Sequence, residues 1–496
     1  MSATLPITRP SRPGGDAGIP SPSCLAELAE RVAADLSHLD YPKARRWTLP
    51  RVVEGQEPLD VLVVGGGQSA LTLAFALRQE RIGNILVVDK APRGREGPWT
   101  TFARMRHLRT PKAVTGPDLG IPSLTPRAWF EAKHGPDAWE RITSIPRGDW
   151  NAYLLWFRDT LDLPVRNGTS VTAIEPVIVK PAGSLLRVTL SGPDGVEQRL
   201  TRKLVLATGQ IGCGGLRIPA AVQALPRALY AHSAEDIDFT ALAGRRVAVI
   251  GAAASAFDNA ATALEAGAAS VEMFIRRDTL PTINALYWMD FAGVMGHFAE
   301  LPDRHRWRFN RHFESAPNPP PPTSVARCTA FANFHLRTGA AWRRATVRPT
   351  GILAETERGD HEVDFVICGT GFDPDPAGSP LLVPFADRIA RWGDRFTPPP
   401  GEESGRLARF PYLGPAFEFL EREPGTAPFL RNIHNFNGSA VASMGNSAGA
   451  PGLRFSVPRL TNALVRDLFV EDADAYYADF LAFKTPEPEK AAFRSA

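Results

Sequence analysis

Residues 60–77 read DVLVVGGGQSALTLAFAL, and residues 84–90 read NILVVDK. An apolar run enters a glycine triplet, an alternating apolar stretch follows, and a second apolar run ends in an acid. A buried strand, a tight turn, a helix and a second parallel strand account for this order. Gly65 permits the sharp bend, Gly67 lets the backbone approach a pyrophosphate, and Ala70 allows the helix to pack closely. The helix N-terminus offers free N–H groups and partial positive charge to an anion. Asp89 lies 24 residues after Gly65, close to the spacing at which an acid meets ribose hydroxyls.

The same arrangement returns at residues 245–264, RRVAVIGAAASAFDNAATAL, followed by SVEMFIRR at residues 270–277. Gly251 holds the bend. Ala253 and Ala256 replace the second and third glycines, and a Cβ at Ala253 crowds the closest backbone approach to a phosphate. The second strand ends in Arg276 and Arg277 rather than an acid. Guanidinium forks match a 2′-phosphate, which favours NADPH over NADH. One chain with an acidic and a basic dinucleotide unit is most simply a flavoprotein that takes FAD at the first turn and NADPH at the second. The fold class expected is α/β, with two Rossmann-like dinucleotide-binding domains and the NADPH domain inserted into the FAD domain.

A chain of 496 residues is long enough for two or three domains. Its 44% hydrophobic and 22% charged residues are those of an ordinary globular protein, and a net charge of +3 is too small to argue for nucleic acid or an anionic membrane. Cys24, Cys213, Cys328 and Cys368 form no CxxC pair, so neither a dithiol of that type nor a cysteine zinc cluster is expected. There is no GxSxG elbow and no spaced set of metal ligands. Residues 1–23 carry no apolar signal core and read as a flexible leader, while residues 61–77 are interrupted by glycines and polar groups. Cytoplasmic location is the expectation. A small-molecule substrate and O2 are the expected partners, and the sequence leaves open whether copies of the chain associate.

Expected domain borders are an N-terminal extension over 1–50, an FAD-binding part over 51–212, an NADPH-binding insertion over 213–350, a second FAD-binding part over 351–470 and a tail over 471–496. Ser23 is placed to cap a helix running to His38, and Asp149 one in GDWNAYLLWFRDTL. The stretches SVTAIEPV, LLRVTL and KLVLATG read as strands, the last a buried parallel one ending at Gly209. EVDFVICGTGF, ending at Phe372, repeats that pattern. The prolines at 319–322 predict an exposed stiff loop or a lid, the basic stretch 304–313 a solvated helix face or lid, and residues 472–483 a terminal helix.

The two dinucleotide units, ATG at 207–209, GTGF at 369–372 and G-x-W at 97–99 together resemble the class B flavin monooxygenases: flavin-containing monooxygenases, Baeyer–Villiger enzymes and amino-acid N-hydroxylases. The resemblance implies FAD on Gly65, Gly67, Ala70 and Asp89, with Trp99 and residues 104–112 approaching its isoalloxazine ring. It also implies that Thr208, Gly209, Gly369 and Gly371 mark cofactor-facing strand ends, and that residues 436–452 close over the flavin. His107 and Arg109 are the catalytic candidates within that loop; Arg109 reads equally as a cation for an acidic substrate or the nicotinamide cofactor and as an arginine satisfied by a nearby carboxylate. NADPH would reduce FAD, and the reduced flavin would react with O2 to an oxygenating C4a-(hydro)peroxyflavin that must be kept from water. Of the F-x-G-x-x-x-H signature only His232 is present, in PRALYAH at 226–232. That departure favours N- or S-oxygenation over Baeyer–Villiger ketone oxygenation. A flavin reductase without oxygenation, and a nucleotide-sensing scaffold that keeps the fold without catalysis, stay open as alternatives.

Overall fold

The structure is a computed structural model describing residues 24–40, 46–113, 116–179, 183–210, 212, 214–445 and 449–484. The leader, Ser23, Cys213, residues 446–448 of the late glycine-rich segment and the charged end lie outside the described residues. In chain order the first strands are β1 (Leu59–Val64), β2 (Ile85–Val88), β3 (Val165–Arg166), β4 (Ser170–Val179), β5 (Gly183–Gly192) and β6 (Gly195–Leu206). There follow β7 (Tyr230–His232), β8 (Arg246–Ile250), β9 (Ser270–Phe274), β10 (Phe334–Arg337), β11 (Trp342–Arg348), β12 (Gly351–Thr356), β13 (Gly359–Val363), β14 (Phe365–Cys368) and β15 (Ile433–His434).

The first sheet runs β3-β2-β1-β6-β5-β4, with β15 pairing β6. β1 is buried at every position, as a central parallel strand covered on both faces must be. β6 serves two neighbours. Its exposed first half pairs antiparallel with β5, and its buried second half pairs parallel with β1 and β15. The second sheet has the order β10-β9-β8-β14-β7, all parallel, and a three-stranded antiparallel sheet β11-β12-β13 adjoins it. Each large sheet therefore places its glycine turn after a central strand, where ligands of open α/β sheets sit beyond the carboxyl ends.

β14 belongs to the second sheet, since its residues pair with β8. The border expected at 350/351 thus falls in the hairpin between β11 and β12, and the second unit continues past Cys368. Among the described residues, β15 alone of the later strands returns to the first sheet. Likewise the border at 470/471 cuts a buried ionic clasp. Arg202 donates to Asp472 at 2.9 Å and to Glu471 at 3.2 Å, and Lys203, fully buried, donates to Glu471 at 2.6 Å.

Four local expectations change. The helix Leu25–His38 starts at Cys24 with no side-chain cap, and buries Leu28, Val32 and Leu36. The helix Arg147–Thr160 has Pro146 at its N-cap, so Asp149 lies inside the first turn; its carboxylate takes Lys133 and His134 at 2.9 and 3.0 Å. The proline run does not stand free as an exposed loop. Pro320 is buried, and Pro322 opens the helix Pro322–Thr329 at the position where a missing N–H costs nothing. The basic stretch forms the helix Asp303–Ser315, which is not solvated all round: Arg306, Trp307 and Asn310 are buried, with Trp307 6.0 Å from Trp392. The terminal helix is Ala473–Ala482. Among the described residues no helix is long and apolar enough to cross a membrane.

Candidate active site

Gly65 has φ +105°, and a Cβ there would lie 2.5 Å from the Ala207 carbonyl oxygen at the end of β6. The turn is pressed against its neighbouring strand, so only glycine fits. Gly67 instead faces open room: a Cβ there meets nothing within 4 Å. The helix Gln68–Gln79 begins at Gly67 without a side-chain cap, so its first-turn N–H groups remain available to an anion. Ala70 is fully buried in the helix–sheet contact.

Asp89 closes this turn from the side. One carboxylate oxygen accepts the Gly66 N–H at 2.6 Å and the other the Ala91 N–H at 2.7 Å. A carboxylate offers about four lone-pair sites, which leaves capacity for ribose hydroxyls. The loop after β2 is fixed by buried Glu96, which accepts from Arg158 at 2.9 Å, Asn167 at 2.6 Å and the Gly94 N–H at 2.6 Å. That loop delivers Trp99 edge-on to Trp150, ring centroids 6.2 Å apart. The Trp150 indole N–H in turn donates to Gln68 Oε1 at 3.3 Å, at the helix start. An aromatic wall therefore stands beside the first turn. At the end of β6, Thr208 Oγ1 accepts from Asn437 at 3.1 Å, and the Gly438 N–H donates to the Gly209 carbonyl at 3.0 Å. The late segment thus caps the same strand end.

The second turn is built alike. Gly251 has φ +132°, and a Cβ would lie 2.3 Å from the Gly369 carbonyl oxygen after β14. Ala256 is fully buried and occupies the close approach, since a Cβ on Gly369 would come 2.6 Å from its Cβ. Ala253 caps the helix Ala254–Glu265 through its backbone alone and is exposed. Gly371 has φ +78°, and its carbonyl accepts from the Arg217 N–H at 3.0 Å. Arg276 is exposed, whereas Arg277 donates to the carbonyls of Glu314 and Ser315 at 3.2 and 3.3 Å.

Of the two readings of Arg109, the structure carries the carboxylate partner. Arg109 donates to Asp258 at 2.5 Å, and Asp258, 1% exposed on the helix after the second turn, also takes Ser324 at 2.6 Å and Arg327 at 3.3 Å. Arg109 is thereby spent on tying the first unit's loop to the second unit. His107 is exposed and contributes a backbone bridge to Pro146, which gives its ring no sheltered partner for proton transfer. His232 is a structural group: Nε2 meets the Gly371 carbonyl at 3.0 Å, and Nδ1 accepts the Ala234 N–H at 3.1 Å. Gln68, Trp150, Asn437 and Asp258 were not singled out from the sequence. Gln68 could have been, because it directly follows the glycine triplet. Asp258 carries no sequence signal, as its partners lie in other segments.

Both turns fit a dinucleotide by their own geometry, with uncapped helix starts and strand ends of opposite charge. The sequence model of the FAD-NAD(P)-binding family matches residues 62–211, and that of the L-lysine 6-monooxygenase/L-ornithine 5-monooxygenase family matches residues 139–295. Among solved structures, the reduced ornithine hydroxylase of Pseudomonas aeruginosa superposes with a TM-score of 0.63 at 19% identity, over 83% of this chain and 100% of that one. The L-lysine 6-monooxygenase of Pseudomonas syringae gives 0.61 at 19%, over 82% and 99%. These two share the fold. The FAD-dependent urate hydroxylase of Xanthomonas campestris is 42% identical over 465 residues, 93% of this chain and 97% of that protein. With that identity across nearly the whole of both chains, this chain belongs to the family of that hydroxylase, within the class B flavoprotein monooxygenases.

Proposed function

We propose that the chain is an FAD- and NADPH-dependent monooxygenase acting on a planar, anionic, nitrogen-rich heterocycle of the urate kind. The observation that carries the cofactor reading is the pair of turns with opposite charge, joined by the Arg109–Asp258 bridge. FAD lies on Gly65, Gly67, Ala70 and Asp89, and NADPH on Gly251, Ala253, Ala256 and Arg276. When bound, the flavin supplies oxygen activation after accepting hydride from the nicotinamide. The rest falls to this chain's own residues. The uncapped first-turn N–H groups of the helix Gln68–Gln79 would orient the pyrophosphate. Trp99 and Trp150 wall the ring off from water, and Asn437 closes the strand end at Thr208. Arg109 and Asp258 hold the loop 104–112 against the second unit, so that the space between the turns stays dry. Free, buried Cys328 and Cys368, each with its thiol pushed up to about 12 by burial, suit a reducing cytoplasmic setting.

The substrate class rests on the 42% identical relative. N-hydroxylation of an amine is the second reading, favoured by the family match over residues 139–295. Purified yellow protein is given NADPH, O2 and, in turn, urate, ornithine and lysine, with NADPH consumption, peroxide and 18O incorporation measured. Urate alone is expected to take up label in step with NADPH. Labelled ornithine or lysine would move the reading to amine hydroxylation, and peroxide as the only product with every compound would remove the oxygenase reading.

A further inference from the structure

Positive charge from three distant stretches of chain gathers at the C-terminal end of the second sheet. Arg276 leaves β9 exposed. Arg217 is fixed on the turn after β14: its N–H donates to the Gly371 carbonyl at 3.0 Å, and its own carbonyl accepts from Thr370 Oγ1. Arg409 pairs with Asp373 at 3.0 Å, and the Asp373 N–H is held by the Gly215 carbonyl at 2.8 Å. Arg406 reaches Glu314 at 3.4 Å and lies 5.2 Å from the Phe410 ring centroid. Partial burial, and next the charges of Arg406 and Arg276, pull Arg217 below the ordinary arginine range; Arg409 adds to this and Asp373 opposes it.

Arg277 is placed differently. Its guanidinium sits on the last carbonyls of the helix Asp303–Ser315, Glu314 and Ser315, where a helix end attracts a cation. Both bonds use its Nη2, which is thereby held at the helix end. With Arg217 itself counted, four guanidinium groups face two carboxylates, Asp373 beside Arg409 and Glu314 beside Arg406. Such a cluster is unfavourable until a counter-anion arrives. A phosphate monoester carries about −1.5 to −2 at neutral pH and accepts guanidinium forks through its oxygens.

We infer that Arg276 and Arg217, not Arg276 and Arg277, grip the 2′-phosphate of NADPH, and that Arg277 is a positioning residue locking the strand end to the helix. This deepens, and rests on, the reading of the second turn as the NADPH site. Arg406 and Arg409 bring the segment 404–409 over the same anion, so coenzyme selection is shared between the second sheet and a stretch of chain well beyond it.

The test uses FAD-loaded full chain. Binding of adenosine 2′,5′-bisphosphate, 5′-AMP and inorganic phosphate is measured by calorimetry, and KM for NADPH and NADH by steady-state oxidation. Arg217→Ala and Arg276→Ala are each expected to weaken the bisphosphate roughly 10- to 100-fold and AMP less than about 3-fold. KM for NADPH should rise by the same factor with NADH little changed, and Arg217→Lys should fall between. Arg277→Ala should shift both coenzymes equally. The inference fails if Arg217→Ala leaves the NADPH-to-NADH ratio unchanged or weakens both alike, which would put Arg217 on the pyrophosphate. It fails too if Arg277→Ala is as selective as Arg276→Ala, or if inorganic phosphate alone binds as tightly as the bisphosphate. Wild-type protein that binds FAD but neither NADPH nor the bisphosphate would overturn the second-turn reading itself.

Discussion

The two glycine turns share one steric device and differ in everything around it. Gly65 and Gly251 both sit at positive φ, +105° and +132°, each pressed on a carbonyl just past the neighbouring strand, Ala207 and Gly369. Past that point they part. At the first turn a carboxylate, Asp89, folds back onto the Gly66 amide, and a tryptophan pair stands alongside. At the second, Arg276 and Arg277 come before any acid after β9, and arginines from several segments converge. The bend is a requirement of strand-to-helix geometry, while the charge at the next strand's end is what differs between the two turns.

Breaking the shared device gives the largest effect. Gly65→Ala and Gly251→Ala would each force a Cβ into a carbonyl oxygen in a conformation that L residues avoid, at a cost of about 3 kcal/mol or more. Thermal unfolding should fall in both. Flavin absorbance should separate them, Gly65→Ala being purified colourless and Gly251→Ala yellow but not bleached by NADPH. A yellow Gly65→Ala protein of wild-type stability would show that the two turns are not equivalent.

A second contrast lies in the strand beside each site. β15 carries His434 next to β6, and β7 carries His232 next to β14; both are fully buried. His232 uses both ring nitrogens. His434 donates through Nδ1 to the Ala416 carbonyl at 2.8 Å, and its buried Nε2 has no partner among the described residues. Burial lowers both pKa values, that of His434 to about 4. As pH falls below the ordinary 6.5, the unfolded chain takes up a proton that the folded first sheet refuses. Stability is therefore present above pH 6.5 and lost progressively down to about pH 4, by about 3 kcal/mol in total for His434. Denaturant unfolding at pH 7 and pH 5 should show this loss, and His434→Asn should flatten it. An unchanged pH slope in the variant would assign the acid sensitivity elsewhere.

What could be read from the sequence was what is local. Strand, turn, helix and charged strand end lie within about 30 residues, the span of one βαβ unit, so their order alone carries Gly65, Asp89, Gly251 and Arg276. The α/β class with two dinucleotide units and the resemblance to class B enzymes follow from the same short stretches. Contacts across hundreds of residues leave no such trace. For Arg109 the sequence offers a ligand-binding cation and an ion-paired one equally until the fold brings Asp258 to it, and Arg277 looks like the twin of Arg276 until the helix Asp303–Ser315 ends on it. The proline run misleads for a related reason: proline is excluded from helix interiors and favoured at the first helical position, and sequence alone does not say which applies.

The finest contrast is the second position of each turn, Gly67 against Ala253. A Cβ at Gly67 meets no protein atom within 4 Å, and its φ of −78° suits any residue, so Gly67→Ala costs the fold little. That methyl would stand where the pyrophosphate comes closest, and FAD affinity should drop about 3- to 10-fold with the melting temperature of the apoprotein unchanged. Ala253 already carries such a methyl, exposed at the start of its helix. Ala253→Gly should therefore tighten NADPH about 2- to 3-fold, read as a lower KM at constant kcat. The two substitutions are opposite moves at one geometric position, so the signs must be opposite. If Ala253→Gly weakens NADPH, the second helix start does not approach its ligand as the first does, and the likeness of the turns ends at Gly65 and Gly251.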